Sequence, residues 1–353
     1  MSARHLLSPG PMRPGVAGRR HPLFITAALL AAAPLLFSSS VNADPPAPVQ
    51  VLDPSVAREG GMTVGLQRRE VGGELLVEVD LPAVDGRRGR ATDQASRLLD
   101  VTAGGAMVAV TDEIDMLQAT VTIRQADGTI VARELRGVIA ARFSPDATSL
   151  YAIDGGGALW AIASATGEGG VIAEGPFSGP IALAPDGALL LRRVSSVEAP
   201  FQAQLQRFDP ANGATTALTG DELVFSAHVL ADGSLLYVAH ERGDGGTVIK
   251  RLTDDGAIVV VDLGTAAIDV DISVDGGRTA FAVAGDGIYV ADGFEVVARR
   301  IGSGERPRFS PDGNQLLVLD GATASVIGLD GTLRARLATP SSAWVSCDKE
   351  CAP

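Results

Sequence analysis

Residues Phe309–Leu319 read FSPDGNQLLVL, a tight turn followed by an apolar strand, and the same arrangement recurs along the chain. It appears as FSPDATSLYAI at Phe143–Ile153, ALAPDGALLL at Ala182–Leu191, VLADGSLLYVA at Val229–Ala239 and ISVDGGRTAFAV at Ile272–Val283. The turn aspartates Asp146, Asp186, Asp232, Asp275 and Asp312 are spaced by 40, 46, 43 and 37 residues. A degenerate copy, VTAGGAMVAV from Val101, puts Gly104 in the Asp slot, 42 residues before Asp146. Ser-Pro-Asp-Gly suits a turn for separate reasons. Proline presets φ near −65°, the aspartate carboxylate can accept from the turn backbone, and glycine allows the positive φ that follows.

A second register of turns falls about twenty residues after the first, at Gly128, Gly167, Gly213, Gly256, Gly293 and Gly331. Its spacings of 39, 46, 43, 37 and 38 drift with the first set. Asp-Gly and Asn-Gly at these points suit two-residue hairpins. Short Val-, Ile- and Leu-rich runs lie between the turns, which gives four strands per unit. Units of this length and strand number, repeated six times, predict an all-β chain folded as a β-propeller, in which each sheet buries its faces against its neighbours. The expectation is six four-stranded blades over residues 91–340, with seven as the alternative.

At these turns the chain resembles the WD-repeat-like propellers of the periplasmic TolB type, whose blades carry an FSPDG turn between the innermost and second strands. The resemblance runs over roughly residues 95–340 and rests on Phe143–Asp146 and Phe309–Gly313. It implies an exported propeller that binds a partner of the cell envelope. LWAIASATGE from Leu159 also resembles a repeat of quinone-cofactor dehydrogenases, but those place a Trp after Thr-Gly in most blades, and this chain has only Trp160 and Trp344. No cofactor is expected.

The ends are read separately. LFITAALLAAAPLLF at residues 23–37 follows Arg19 and Arg20 and precedes small residues at Val41 and Ala43, the layout of a secretory signal peptide over residues 1–43 with cleavage after Ala43. At fifteen residues the run is short of the roughly 20 that a spanning helix needs, so no stable membrane insertion is expected after cleavage and the chain is placed in the periplasm or outside the cell. Residues 44–90 are read as a linker and an appended β-hairpin, Met62–Leu81, turning at Gly72-Gly73. The tail, 341–353, holds Cys347 and Cys351, the chain's two cysteines, which an oxidising compartment would join in a disulfide.

The net charge is −13. Four of the 29 basic residues lie in the first 43 positions, which carry no acid, so the rest of the chain stands at −17. Such a surface repels phosphate backbones and excludes nucleic acid as an expected partner.

Aligning the innermost strands on the turn Asp defines two faces. Three residues before it every copy is apolar: Val101, Phe143, Leu183, Val229, Ile272 and Phe309. Four before stand Asp100, Arg142, Ala182, His228, Asp271 and Arg308; six before stand Leu98, Ala140, Pro180, Ser226, Asp269 and Arg306. Charge therefore collects at the axis, and Asp269 and Asp271 are expected to face Arg306 and Arg308, with Asp100, Arg142 and His228 around the same channel. Either these residues bind a ligand or they are ion pairs between blades that fix register and bind nothing.

No metal site is expected, because DVDISVDGG from Asp269 lacks the Gly and Glu of a calcium loop, and His228 and His240 are not opposite each other in simple hairpin pairing. No nucleophile motif is present and no catalytic residue is assigned. The function expected is a non-catalytic exported propeller binding an envelope protein, peptide or small ligand. The alternative is a lactonase-like hydrolase using a metal in the channel.

Overall fold

A computed structural model describes residues 56–59, 62–80, 97–102, 107–115, 118–125, 127–196, 199–220, 222–240, 246–253, 255–293, 297–320, 323–337 and 342–345, all within one compact unit, Pro34–Pro353. The expected signal segment, the linker before the hairpin, Cys347 and Cys351 lie outside the described residues.

Every regular element among the described residues is a β-strand, and there are 28. They lie in five four-stranded sheets and one of eight, and the eight-stranded sheet is two groups of four linked by a single parallel pair, Ala203 with Leu223. Six of the groups run consecutively along the chain as antiparallel meanders. Their first strands are Arg97–Val101, Val138–Phe143, Phe177–Leu183, Leu223–Val229, Ala267–Ile272 and Glu305–Phe309. These are the six repeats of the sequence.

The remaining group joins the two ends of the described chain. Its order is Val56–Glu59, Met62–Val71, Glu74–Asp80 and then Ser342–Val345. The hairpin turns at Gly72 and Gly73, with φ of 61° and 89°, the double positive φ that a type I′ turn requires. It is not left appended: Ser342–Val345, which the sequence reading assigned to the tail, pairs along Leu75–Glu78 and supplies the fourth strand. Sequence periodicity missed this because neither half carries the turn signature alone.

The core is divided between neighbouring groups. One cluster joins Val121 and Ile123 to Phe143 and Leu150, the next joins Ile153 and Leu159 to Leu189 and Phe208, and the next joins Leu205 to Tyr237 and Val248. Leu236 and Ile249 then meet Ile272 and Phe281, and Ile288 and Val290 meet Phe309 and Leu316. Leu317 and Val326 meet Val71 and Leu76 of the group that joins the ends. Second strands such as Leu235–His240 and Gln315–Asp320 are buried on both faces for most of their length, so each Leu or Ile there contributes about 1.5–3 kcal/mol only when both adjacent sheets are present. The first strands beginning at 97, 138, 177 and 223 lie side by side in that order, as do those beginning at 267 and 305, and the groups beginning at 223 and 267 meet through a shared core. Ser342–Val345 lies beside Arg97–Val101 and its group shares a core with the last repeat, so the succession of sheets closes on itself.

The turns follow their sequence logic. In the copies at Asp146, Asp275 and Asp312 a serine two residues earlier donates its hydroxyl to the carboxylate at 2.6, 2.7 and 2.6 Å. The same serine oxygen accepts a backbone N–H from the start of the second strand: Ser149, Arg278 and Gln315 donate at 3.0, 2.8 and 3.0 Å. Asp186 and Asp232 have no serine two residues earlier; each accepts a backbone N–H two residues on, and Asp186 also pairs with Arg207. The residue after each Asp has φ between 58° and 83°; it is glycine at 187, 233, 276 and 313 but alanine at 147.

Candidate functional site

Each of the six first strands breaks register with its neighbour near its beginning, at Leu98/Asp100, Val138/Ala140, Ser178/Ala182, Val224/Ser226, Ala267/Asp269 and Glu305/Arg308. A bulge re-aims the side chains that follow it. Here it delivers the polar residues of the inner strands to the axis while leaving Ile139, Phe225 and Ile268 exposed at the bulged positions.

The charged residues fall into two clusters. In one, Asp100 accepts the backbone N–H of Phe143 at 2.8 Å and the Arg142 Nη1 at 3.3 Å. Burial pushes the Asp100 carboxyl above the ordinary range, against the opposing effects of Arg142 and the Phe143 and Val101 backbones. Arg142 remains half exposed.

The second cluster spans three consecutive groups. Arg308 makes a two-pronged contact with Asp269, Nη1 to Oδ1 at 3.1 Å and Nη2 to Oδ2 at 3.4 Å. The Arg308 side chain is 48% exposed; desolvation would lower its pKa, and Asp269 and Asp271 outweigh it, so the net shift is upward. Asp271 accepts the backbone N–H of Phe309 at 2.7 Å on Oδ2 and faces His228 Nδ1 at 3.7 Å with Oδ1. The other ring nitrogen, Nε2, lies 3.0 Å from Ser226 Oγ. Burial lowers the His228 pKa, Arg308 adds to that, and Asp271 and Asp269 oppose it without reversing it. His228 is therefore a neutral imidazole at pH 7.

Four residues expected around the axis thus meet in one cluster: His228, Asp269, Asp271 and Arg308. Asp100 and Arg142 meet in another. Arg306 joins neither. It sits inside the bulge before Arg308, with φ of 51° and its side chain exposed, so the pairing expected with Asp269 and Asp271 does not form. The apolar slot packs as expected: Phe143, Ile272 and Phe309 are buried, and Leu183 and Val229 are packed against the core in part.

The sequence alone pairs no hydroxyl with an imidazole, and the structure brings Ser226 Oγ to His228 Nε2. The signal was present, since Ser226 and His228 occupy alternate positions of one strand and Asp271 occupies the His228 slot of the next repeat. What hid it was the absence of any linear motif. The segment at Asp269 is an inner strand followed by a turn. His228 pairs across the hairpin with Leu236, and His240 with Leu223, so the two histidines are not partners. Among the described residues no three His, Cys, Asp or Glu side chains are grouped to hold a metal ion, and no helix is long and apolar enough to cross a membrane.

No family model and no curated protein matches the chain. Solved structures do. TolB from Acinetobacter baumannii is similar over 80% of this chain and 82% of its own, with 16% identity and a TM-score of 0.51. An oligogalacturonate lyase in complex with manganese is similar over 78% and 85%, with 16% identity and a TM-score of 0.53. A functionally unknown protein from Desulfotomaculum acetoxidans is similar over 83% and 99%, with 13% identity and a TM-score of 0.56. With the paired sheets and the shared cores between them, these likenesses give the fold: the chain folds as a TolB-like β-propeller.

Proposed function

We propose that this chain is an exported propeller of the bacterial cell envelope that works by binding, and that its ligand, a protein, peptide or small molecule, engages the axial residues Arg142, His228, Asp269, Asp271 and Arg308. The observation that carries this reading is Arg308. Its side chain is held by Asp269 and the Pro307 carbonyl yet stays about half exposed, and a guanidinium has five N–H donors, more than these contacts use. Export rests on the signal layout of residues 1–43, and the same compartment would oxidise Cys347 and Cys351.

The test is substitution without collapse. Arg308→Ala and His228→Ala should abolish ligand binding while leaving the melting temperature close to wild type. Binding that survives both changes would return these residues to a purely structural role.

The likeness to a manganese-bound lyase keeps a metal-dependent hydrolase as a second reading. It would need a cation near Asp269, Asp271 and His228, but these three are not grouped to hold one, Asp269 is held by Arg308 and one oxygen of Asp271 is held by a backbone N–H. A divalent cation that binds stoichiometrically and raises the melting temperature would favour it.

A further inference from the structure

We propose that Ser226 is a nucleophilic serine and that this chain hydrolyses a carboxylic ester there, an activity that goes beyond the binding role above. Ser226 and His228 are neighbours on one face of Leu223–Val229, just past the bulge at Val224/Ser226. Ser226 Oγ stands 3.0 Å from His228 Nε2, and His228 Nδ1 faces Asp271 Oδ1 at 3.7 Å on the adjoining sheet. Asp271 is itself pinned through Oδ2 by the Phe309 N–H. Hydroxyl, imidazole and carboxylate therefore stand in the order in which a serine is activated, with the carboxylate fixed by backbone.

The proton arrangement fits. A hydroxyl that donates to Nε2 requires the ring proton on Nδ1, the side facing Asp271, and burial keeps the ring otherwise unprotonated at neutral pH. Four groups bear on the ring: Ser226 from its own strand, Asp271 and Asp269 from the next sheet, and Arg308 from the one after. Asp100 makes the same contact with the Phe143 N–H, but there the other oxygen meets Arg142. The carboxylate-to-backbone contact is thus a general device between sheets, and the serine and imidazole are what this position adds to it.

The substrate class follows from the chemistry, since a hydroxyl activated by an imidazole takes up an acyl group from a carboxylic ester. Phe225 and Ile268, which precede Ser226 and Asp269, are exposed, and the Phe225 ring stands edge-on to His240 with the Arg192 guanidinium over it.

The chemistry balances with water as co-reactant. Ser226 Oγ bonds to the acyl carbon and its proton passes to His228 Nε2. The bond from the acyl carbon to the alcohol oxygen breaks, and the alcohol leaves with that proton. Water then attacks the acyl-serine, His228 takes a water proton and returns it to Ser226 Oγ, and the carboxylic acid is released. Asp271 acts through His228 and is a positioning residue.

The test uses a fluorophosphonate probe on the purified chain, with peptide mass spectrometry to locate the label, and p-nitrophenyl butyrate as substrate. The expected result is one label per chain, on Ser226, and ester hydrolysis that is lost in Ser226→Ala. His228→Gln should slow labelling by about 10²-fold or more. Labelling should rise with pH through a midpoint below the ordinary histidine value of about 6.5 and then level off. Asp271→Asn should move that midpoint lower, a change that a merely structural aspartate would not cause. No label on Ser226 in the folded wild-type protein overturns the proposal, with no variant needed. So does labelling that is equally fast in His228→Gln.

Discussion

The backbone N–H of Phe309 donates to Asp271 across a boundary between sheets at 2.7 Å, and Phe143 does the same to Asp100 at 2.8 Å. In both cases the donor is the aromatic residue that opens the next Ser-Pro-Asp turn. The contact ties the inner strand of one sheet to the inner strand of the next, so a polar group near the axis also sets how the sheets are spaced.

Asp100 separates the structural from the electrostatic part of that contact. Asp100→Ala leaves the Phe143 N–H without its acceptor and should cost about 1.5–3 kcal/mol. Asp100→Asn keeps an acceptor and removes a charge that burial disfavours, so it should cost far less at pH 7. Because the folded-state pKa of Asp100 is raised, its ionisation opposes folding as pH climbs past the unfolded value of about 3.9. The gap between Asp100→Asn and wild type in urea denaturation should therefore shift toward the variant from pH 4 to pH 7. A gap that is constant with pH would contradict this.

The turn aspartates have the opposite sign. Asp146 is held low chiefly by the Ser144 hydroxyl, Asp275 by the Ser273 hydroxyl, and Asp232 by Ser234. A lowered folded-state pKa contributes stability above the unfolded value of about 3.9 and loses it as pH falls through the folded value. The protein should weaken in acid from about pH 4 downward, and Asp146→Asn combined with Asp275→Asn should make that decline shallower. Denaturation midpoints at pH 7 and pH 3 measure it.

Ala147 occupies with φ of 58° a position that glycine fills in four other copies. An L-residue with a Cβ costs about 1–2 kcal/mol in the left-handed region. Ala147→Gly should stabilise the chain by about 1 kcal/mol after the added freedom of the unfolded glycine is subtracted. Calorimetry should show a higher melting temperature, and an unchanged or lower one would contradict the argument.

Trp344 ties the C-terminal strand to the last repeat. Its indole N–H donates to the Arg308 carbonyl at 3.1 Å, and its ring packs on the cluster of Val71, Leu76 and Val326. Trp344→Ala should cost about 3 kcal/mol. Removing residues 342–353 should cost more, because Leu75–Glu78 loses its paired strand and the fully buried Leu76 loses cover.

The sequence made the fold legible because each repeat announces itself twice, by a Ser-Pro-Asp-Gly turn and by a hairpin glycine. The sheet joining Glu74–Asp80 to Ser342–Val345 was not legible, since its strands are separated by almost the whole chain and share no turn. At the axis, slot alignment found Asp100, Arg142, His228, Asp269, Asp271 and Arg308. It misjudged Arg306 because a bulge shifts the alternation of faces between Glu305 and Arg308. It passed over Ser226 because a hydroxyl in a strand carries no signal until its neighbour is known to be an imidazole.

The central claim is that the axial charges serve a ligand and do not merely hold the sheets in register. A thermal-shift screen of the wild-type protein against small polar metabolites, repeated on Arg308→Ala and His228→Ala, tests it most directly. Both unliganded variants should melt within about 3 °C of wild type, and a compound that raises the wild-type melting temperature should have no effect on either. Variants that melt far lower without ligand, or a compound that stabilises all three proteins equally, would contradict it.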